Sequence, residues 1–186
     1  MSAALEDLRV IEMGQLLAGP FAGQLFADFG ADVVKLEPPG VGDPMREWGR
    51  EKPHGKSLWW PIVARGKRSV TCDLRTPEGQ QIVRDLVGKA DVLIENFRPG
   101  TLERWNLSPD LLWKINPMLV ILRVSGFGQT GPKSTQAGFF FCDVENIENP
   151  LAGARLVVTG IRNSAGKELF YFEVPLEKYL GYKPPQ

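Results

Sequence analysis

Residues 8–37 read LRVIEMGQLLAGPFAGQLFADFGADVVKLE, and this stretch decides the fold class. The apolar run Leu8–Met13 predicts a buried strand that ends in the glycine- and proline-containing turn Gly14–Pro20. Helical spacing follows at Phe21, Leu25, Phe26 and Phe29. Gly30 is typical of a helix C-terminus, and Asp32–Glu37 predicts a second strand. A strand, helix and strand within this length form a βαβ unit, whose right-handed crossover makes the two strands parallel.

The same alternation continues along the chain. Further strands are predicted at Ser69–Leu74, Ala90–Glu95 and Met118–Ser125, and helices at Lys56–Ala64, from Thr76 and from Ser108 to Ile115. Thr76 and Ser108 each precede a proline, which is typical of a helix N-terminus. The helix after Thr76 is expected to bury Ile82, Val83, Leu86 and Val87. The pattern predicts an α/β fold with a Rossmann-like, mostly parallel sheet and flanking helices, with Met118–Ser125 at its centre.

The last part of the chain does not continue this alternation. Arg155–Ile161 and Lys167–Val174 predict two strands around an Asn-Ser-Ala-Gly turn, which is the pattern of a β-hairpin. We therefore expect an α/β domain over residues 1–138 and a divergent segment over residues 139–186 that contains a short hairpin and a frayed tail.

Composition excludes several classes of protein. Twenty-two basic and 22 acidic residues balance, so the chain as a whole has no charge that would attract nucleic acid or an anionic membrane. No apolar run reaches the roughly 18 residues that span a bilayer. Cys72, Cys142 and the single histidine, His54, lack the spacing of a zinc site or a disulfide framework. We expect no metal and a cytoplasmic location, or the mitochondrial matrix or a peroxisome in a eukaryote.

Ligands of open parallel sheets bind beyond the carboxyl ends of the strands. Here the loops at that edge are Gly14–Pro20, Pro38–Gly49, Asn96–Gly100 and Gly126–Pro132. The first of them lacks the GxGxxG fingerprint, which argues against NAD, and the chain lacks the P-loop pattern that ends in Gly-Lys-Ser/Thr.

Five ordered blocks resemble a known family. They lie at residues 17–40, 42–49, 65–79, 90–105 and 125–132, and include ADVLIENFRPGTLERW and SGFGQTGP. In this order they resemble the N-terminal portion of the family III CoA-transferases, the group of formyl-CoA transferase and carnitine CoA-transferase. The resemblance implies transfer of CoA from an acyl-CoA to a carboxylic acid, with acyl-CoA as substrate, and a homodimer or a complementing subunit.

The resemblance also implies which residues bind CoA. They are Leu16, Ala18, Glu37, Cys72, Leu74, Arg75, Asn96, Phe97, Arg98 and Arg104. Because CoA carries a 3′-phosphate and a diphosphate, cations are expected beside it. The candidates at strand and loop ends are Lys67, Arg68, Arg75, Arg98 and Arg104.

These residues also have structural interpretations that leave them without a ligand. Each arginine could form a salt bridge, with Asp73, Glu95 or Glu103 as partner. Asn96 could form the turn before Pro99 and Gly100, and Cys72 could be a small buried residue. The side chains of Trp59, Trp60 and Trp105 are expected in the core or an interface.

The catalytic segment departs from the family pattern. Phe140 stands where an acidic residue is frequent, and the segment that carries the family's catalytic aspartate is not recognisable. Asp143 is the nearest carboxylate, although its flanking residues do not match. The family's second small domain and returning helix are missing from residues 141–186, so we expect an incomplete chain. The alternatives are a non-catalytic CoA- or nucleotide-binding module or subunit, and a chain with no function of its own.

Overall fold

The computed structural model describes residues 2–50 and 52–135 with their side chains, and residues 155–162 and 168–175 as strands. The strands are β1 (Arg9–Glu12), β2 (Asp32–Glu37), β3 (Lys67–Thr71), β4 (Val92–Glu95), β5 (Val120–Arg123), β6 (Arg155–Arg162) and β7 (Glu168–Pro175). The helices are α1 (Ala18–Asp28), α2 (Trp59–Ala64), α3 (Pro77–Val87), α4 (Thr101–Arg104) and α5 (Pro109–Ile115), with 3₁₀ turns at Pro44–Glu47 and Pro53–Gly55.

Strands β1 to β5 form one sheet in the order β3-β2-β1-β4-β5, and every pairing in it is parallel. The chain builds outward from β1 to β3 and then returns to the other side of β1 with β4. The strand order therefore reverses between β1 and β4, which is where open α/β sheets bind their ligands. The predicted Rossmann-like sheet with flanking helices is confirmed.

Each face of the sheet carries its own core. On one face, Val83 and Val87 of α3 and Leu112 of α5 pack with Ile11 and Leu93 of the central strands. On the other, Phe26 and Ala27 of α1 pack against a smaller cluster that contains Val10, Val33 and Ile94. Burial on both faces explains the consecutive apolar residues Val10–Ile11, Val33–Val34 and Val92–Ile94 of these strands.

Helix α1 turns its small residues inward. Gly19, Pro20, Gly23 and Gln24 are its buried residues, whereas Phe21 and Phe29 are 49% and 57% exposed. A Cβ at Gly23 would lie 2.8 Å from Oε2 of Glu12, so the helix approaches β1 more closely than a larger residue would permit. The apolar spacing predicted the helix correctly, but only Phe26 of the four large side chains packs against the sheet, while Phe21, Leu25 and Phe29 are exposed.

Three expectations about other elements were wrong. The most hydrophobic predicted strand, now β5, lies at an edge of the five-stranded sheet and not at its centre. Ile82 is exposed, because α3 buries Gly79 and Gln80 instead, with the Cβ position of Gly79 against the backbone carbonyl of Asp73. The strand predicted from Ser69 begins two residues earlier, at Lys67. The caps were correct: the hydroxyls of Thr76 and Ser108 accept hydrogen bonds from Gly79 N and Leu111 N.

The predicted hairpin is confirmed, since β6 and β7 pair antiparallel with Thr159 opposite Tyr171. The proposed boundary at residue 138 lies outside the described residues and stays a prediction. Within the part of the chain that the structure describes, no helix is both long and apolar enough to cross a membrane.

Candidate functional site

A groove of about 500 Å³ opens at the carboxyl edge of the sheet. It is lined by Met13, Gln15, Leu36, Pro38, Pro39, Val41, Gly42, Pro44, Cys72, Asp73, Leu74, Arg75, Phe97, Arg98, Thr101 and Trp105. These residues lie at or after the carboxyl ends of β1, β2, β3 and β4, so the groove lies beside the point where the strand order reverses. The loop Gly126–Pro132, which follows the edge strand β5, contributes no residue to this lining.

Half of the predicted CoA-binding residues line this groove. They are Cys72, Leu74, Arg75, Phe97 and Arg98. Leu16, Ala18 and Arg104 are outside the lining, but Arg104 Nη2 donates a 2.8 Å hydrogen bond to the hydroxyl of Thr101, which lines it. Glu37 and Asn96 also do not line the groove.

Glu37 supports the loop after β2 and is buried. Its carboxylate accepts hydrogen bonds from the guanidinium of Arg46, the hydroxyl of Ser69 and the backbone N–H of Asp43. Burial alone would raise the pKa of Glu37, but the hydrogen bonds from Arg46 and Ser69 outweigh it and lower the pKa to about 2. Glu37 is therefore an ionised anchor for the Pro38–Gly49 loop.

Asn96 follows β4 and supports the loop after the neighbouring strand β1, at the point where the strand order reverses. Its Oδ1 accepts a 2.8 Å hydrogen bond from Gln15 N, and its Nδ2 donates a 2.9 Å bond to Gln15 O. The next residue, Leu16, has φ of 61°, a left-handed conformation that is costly for a residue other than glycine, and its N–H donates to Asp43 Oδ1. Two side chains from distant loops thus impose this backbone conformation, while direct contact of Asn96 with CoA stays a prediction.

Four buried charges lie behind the same loop. Lys35 Nζ is 2.7 Å from both Glu12 Oε1 and Asp43 Oδ2, and it donates a 2.8 Å hydrogen bond to Gly14 O. Lys67 Nζ is 2.6 Å from Glu12 Oε2. Two ammonium groups therefore balance two carboxylates in a region with almost no solvent exposure, and the cluster connects the loops after β1 and β2.

The cations beside the groove are fewer than expected. Lys67 is buried against Glu12, and Arg68 pairs with Asp32. Both residues begin β3 and neither lines the groove, so their expected place beside it was wrong. Arg75 lines the groove while paired with Asp73, as the salt-bridge interpretation predicted.

Arg98 differs from those cations. It lines the groove and is exposed, and no described residue forms an ion pair with it. Glu95 and Glu103, which were considered as partners for it, bind Arg123 instead.

The aromatic wall of the groove was predicted only in part. Phe97 packs edge to face on Trp105, with ring centroids 5.1 Å apart. Trp105 was expected in the core or an interface, and it does pack against the core while also lining the groove. Gln15 was missed as a lining residue, although its position in the Gly14–Pro20 turn that follows β1 could have suggested it.

Cys72 is the small buried residue that the structural interpretation predicted. It is 5% exposed, its Sγ contacts Gly79 O, and burial raises the pKa of its thiol. The candidate nucleophile Asp143 lies outside the described residues. Within residues 2–50 and 52–135, no group of three or more His, Cys, Asp or Glu side chains could hold a metal ion.

Comparison with known proteins matches these observations to a family. The model of CoA-transferase family III matches residues 5–142. Succinyl-CoA–D-citramalate CoA-transferase of Chloroflexus aurantiacus is 62% identical over 135 residues, which cover 73% of this chain and 34% of that protein. The beta subunit of succinyl-CoA–L-malate CoA-transferase of the same organism is 49% identical, over 73% of this chain and 33% of the subunit.

A solved structure gives the same result. A CAIB/BAIF family protein from Brucella suis superimposes with a TM-score of 0.70 at 43% identity, over 76% of this chain and 38% of that one. The chain therefore spans about a third of the length of the curated relatives it matches. The chain belongs to CoA-transferase family III.

Proposed function

We propose that the groove at the carboxyl edge of the sheet binds the CoA part of an acyl-CoA. In the whole protein, this would serve the transfer of CoA from an acyl-CoA to a carboxylic acid. The observation that carries the proposal is the position of Arg98, an exposed cation without an ion-pair partner among the described residues, on the lining of an apolar groove.

The residues around the groove suit the two chemical parts of CoA. Arg75, Arg98 and the nearby Arg104 offer planar guanidinium groups, which bind phosphate oxygens in pairs. Pro38, Pro39, Val41 and Phe97 offer an apolar wall on which the adenine ring or the pantetheine arm can lie.

The transfer step needs a nucleophile. In the reaction that the family resemblance implies, a carboxylate attacks the thioester carbon and CoA thiolate leaves, which gives an acyl anhydride. The thiolate then attacks the enzyme's carbonyl in this anhydride, which releases the donor acid and leaves CoA as a thioester on the enzyme. The reverse two exchanges with the carboxylic acid substrate pass the CoA to it and restore the carboxylate. Forming a covalent intermediate divides one difficult exchange into two easier ones. Asp143 is the candidate in this chain and stays a prediction. A non-catalytic CoA-binding module or subunit is the alternative function.

Titration calorimetry with CoA tests binding. Because one charge-assisted hydrogen bond contributes about 1.5–3 kcal/mol, Arg98→Ala should weaken binding by roughly tenfold or more. Arg68→Ala is the matched control, since Arg68 is paired with Asp32 and does not line the groove. Absence of heat with the wild-type chain, or equal affinity of the two variants, would contradict the proposal.

An isotope-exchange assay distinguishes an active CoA-transferase from a non-catalytic CoA-binding module. Labelled succinate should enter succinyl-CoA if the chain is active, and hydroxylamine should trap an acyl-enzyme. CoA binding without exchange would support the non-catalytic module. Exchange that persists in Asp143→Ala would exclude Asp143 as the nucleophile.

We also propose that a second copy of the chain covers an apolar face, which we define as the exposed apolar residues of α1 and its two flanking positions, of α2 and of the loop that precedes α2. It comprises Leu17, Phe21, Leu25, Phe29, Trp48, Leu58, Trp59 and Ile62. Helix α1 packs against α2, and Trp59 meets Trp48 edge to face. Half-exposed side chains of these types present roughly 700 Å² together, more than the largest patch of most monomers and close to one side of a standard interface.

The net charge of zero creates no overall repulsion between two copies. Sedimentation equilibrium should show a dimer that Phe21→Asp weakens, while Met118→Asp, at an exposed apolar residue outside this face, should not. A monomeric wild-type chain would refute the homodimer and leave a complementing subunit to be sought.

We infer a reducing compartment, the cytoplasm in the first instance, or the mitochondrial matrix or a peroxisome in a eukaryote. The support is the unpaired, buried thiol of Cys72. Fractionation of cells that express the chain would test this location.

A further inference from the structure

Arg123 lies at the end of the edge strand β5 and connects three elements. Its register partner on β4 is Glu95, and Arg123 Nε donates a 2.6 Å hydrogen bond to Glu95 Oε1. Its Nη1 donates a 2.7 Å hydrogen bond to Oε1 of Glu103 on α4. Arg123 is only 12% exposed and Glu95 only 1%, so this contact has little competition from water.

The second carboxylate oxygen of Glu95 binds the backbone of a residue that lines the groove. Glu95 Oε2 accepts a 2.7 Å hydrogen bond from the backbone N–H of Phe97. One buried carboxylate therefore has Arg123 on one side and the turn that carries Asn96, Phe97 and Arg98 on the other. That turn leads to Gly100, whose φ of 82° lets α4 begin directly behind the groove.

Glu103 extends the same arrangement to α4. It precedes Arg104 and lies on a helix of four residues, which has little stability of its own. The fork of Arg123 contacts both Oε1 and Oε2 of Glu103, and this fixes the short helix relative to β5. Arg123 itself does not line the groove.

We propose that Arg123 is a positioning residue that holds the turn 96–98 and helix α4 in the conformation that binds CoA. The inference rests on the proposed function of the groove. No other described residue forms an ion pair with Glu95 or with Glu103. Without the guanidinium, Glu95 is a buried charge with no counter-ion. Burial raises the pKa of Glu95 and Arg123 lowers it, so removing Arg123 leaves the effect of burial without this opposing charge.

A lysine cannot replace this arginine. The ammonium group is a single point of charge, whereas the planar guanidinium reaches two carboxylates at fixed angles. Arg123→Lys should therefore keep the charge beside Glu95 and lose the contact with Glu103. Arg123→Met removes both contacts and preserves much of the side-chain length.

Hydrogen exchange of the full chain tests the inference without any ligand. In Arg123→Met, the amide of Phe97 should exchange roughly tenfold faster or more, since its acceptor loses its fixed position. Amides of β1 and β2 should accelerate less than the amide of Phe97, since they respond only to the overall loss of stability. Arg68→Met is the control, because it removes an exposed guanidinium that pairs with Asp32 away from the groove. In Arg123→Lys, the amide of Phe97 should exchange at a rate between those of the wild type and Arg123→Met. If Arg123→Met does not fold, Arg123→Lys still tests the inference.

CoA titration of the same variants tests the connection to binding. The dissociation constant should rise roughly tenfold in Arg123→Met, less in Arg123→Lys, and stay unchanged in Arg68→Met. Unchanged exchange at Phe97, or an equal increase at Phe97 and in β1 and β2, would overturn the positioning role. Faster exchange at Phe97 with unaltered CoA affinity would also overturn it. A wild-type chain that does not bind CoA would refute the proposed function instead, while the exchange experiment would still decide whether Arg123 holds the turn.

Discussion

Asp43→Ala removes one carboxylate from the buried charge cluster behind the groove. The cluster then contains Lys35 and Lys67 with Glu12 as their only carboxylate, so one ammonium group is left without a counter-ion. Asp43 and Lys35 are 1% and 2% exposed, which prevents water from replacing the lost partner. The variant also removes the acceptor for the N–H groups of Leu16 and Met45.

The size of the effect follows from that burial. Breaking a buried ion pair by removing one partner costs about 3–5 kcal/mol, whereas breaking an exposed pair costs about 1 kcal/mol or less. Asp32→Ala is the matched control, because it breaks the exposed pair with Arg68. With a urea m-value of about 2 kcal/mol/M, Asp43→Ala should lower the unfolding midpoint by about 2 M and Asp32→Ala by less than about 0.5 M.

Urea unfolding followed by circular dichroism measures both midpoints. The double variant Lys35→Met with Asp43→Ala leaves Glu12 and Lys67 as a balanced pair. It should therefore be no less stable than Asp43→Ala alone, which is the non-additivity expected of residues in contact. A loss below about 1 kcal/mol in Asp43→Ala, or additive losses in the double variant, would refute the assignment of a balanced buried cluster.

Three further predictions concern the single residues Glu37, Cys72 and Gly79. The carboxylate of Glu37, with its pKa lowered from 4.5 to about 2, stabilises the fold above about pH 5 and loses that effect as the pH falls toward 2. The stability difference between wild type and Glu37→Gln should therefore be large at pH 6 and shrink at pH 3 in urea unfolding; a constant difference would contradict this. Cys72, in a chain with Cys142→Ser, should react with iodoacetamide roughly tenfold more slowly than an exposed cysteine, and CoA should slow it further. Gly79→Ala should cost about 1–3 kcal/mol, because its methyl group would overlap the backbone carbonyl before α3, while Gly88→Ala has room and should change stability little.

Local sequence patterns predicted most elements of the fold because each depends on neighbouring residues. The hydroxyls of Thr76 and Ser108 cap helices that begin at the next residue, and Gly30 takes up a positive φ at the end of α1. The face that a helix turns toward the sheet was harder to predict. Phe21, Leu25 and Phe29 repeat at the spacing of a buried face, yet they are exposed, and Gly23 lies against β1 instead.

The residues of the candidate site could also be predicted only in part from the sequence. Cys72, Leu74, Arg75, Phe97 and Arg98 were recognised from the family blocks, and the structure brings them to one groove. The pattern could not show that Lys67 and Arg68 are neutralised, because their partners lie more than 30 residues away in the chain. Arg123 was also missed, although a single charged side chain within an apolar strand was a usable signal.

The sequence by itself therefore determined the alternation of strands and helices, the starts of α3 and α5, and the family, since these depend on spacing along the chain. The tertiary structure alone decided which charges are available to a ligand. Parallel pairing brings β1 beside both β2 and β4, and so places Gln15 against Asn96, 81 residues later, and Lys35 between Glu12 and Asp43. Coulombic and hydrogen-bond energies depend on distances through space and on burial, which sequence separation does not specify.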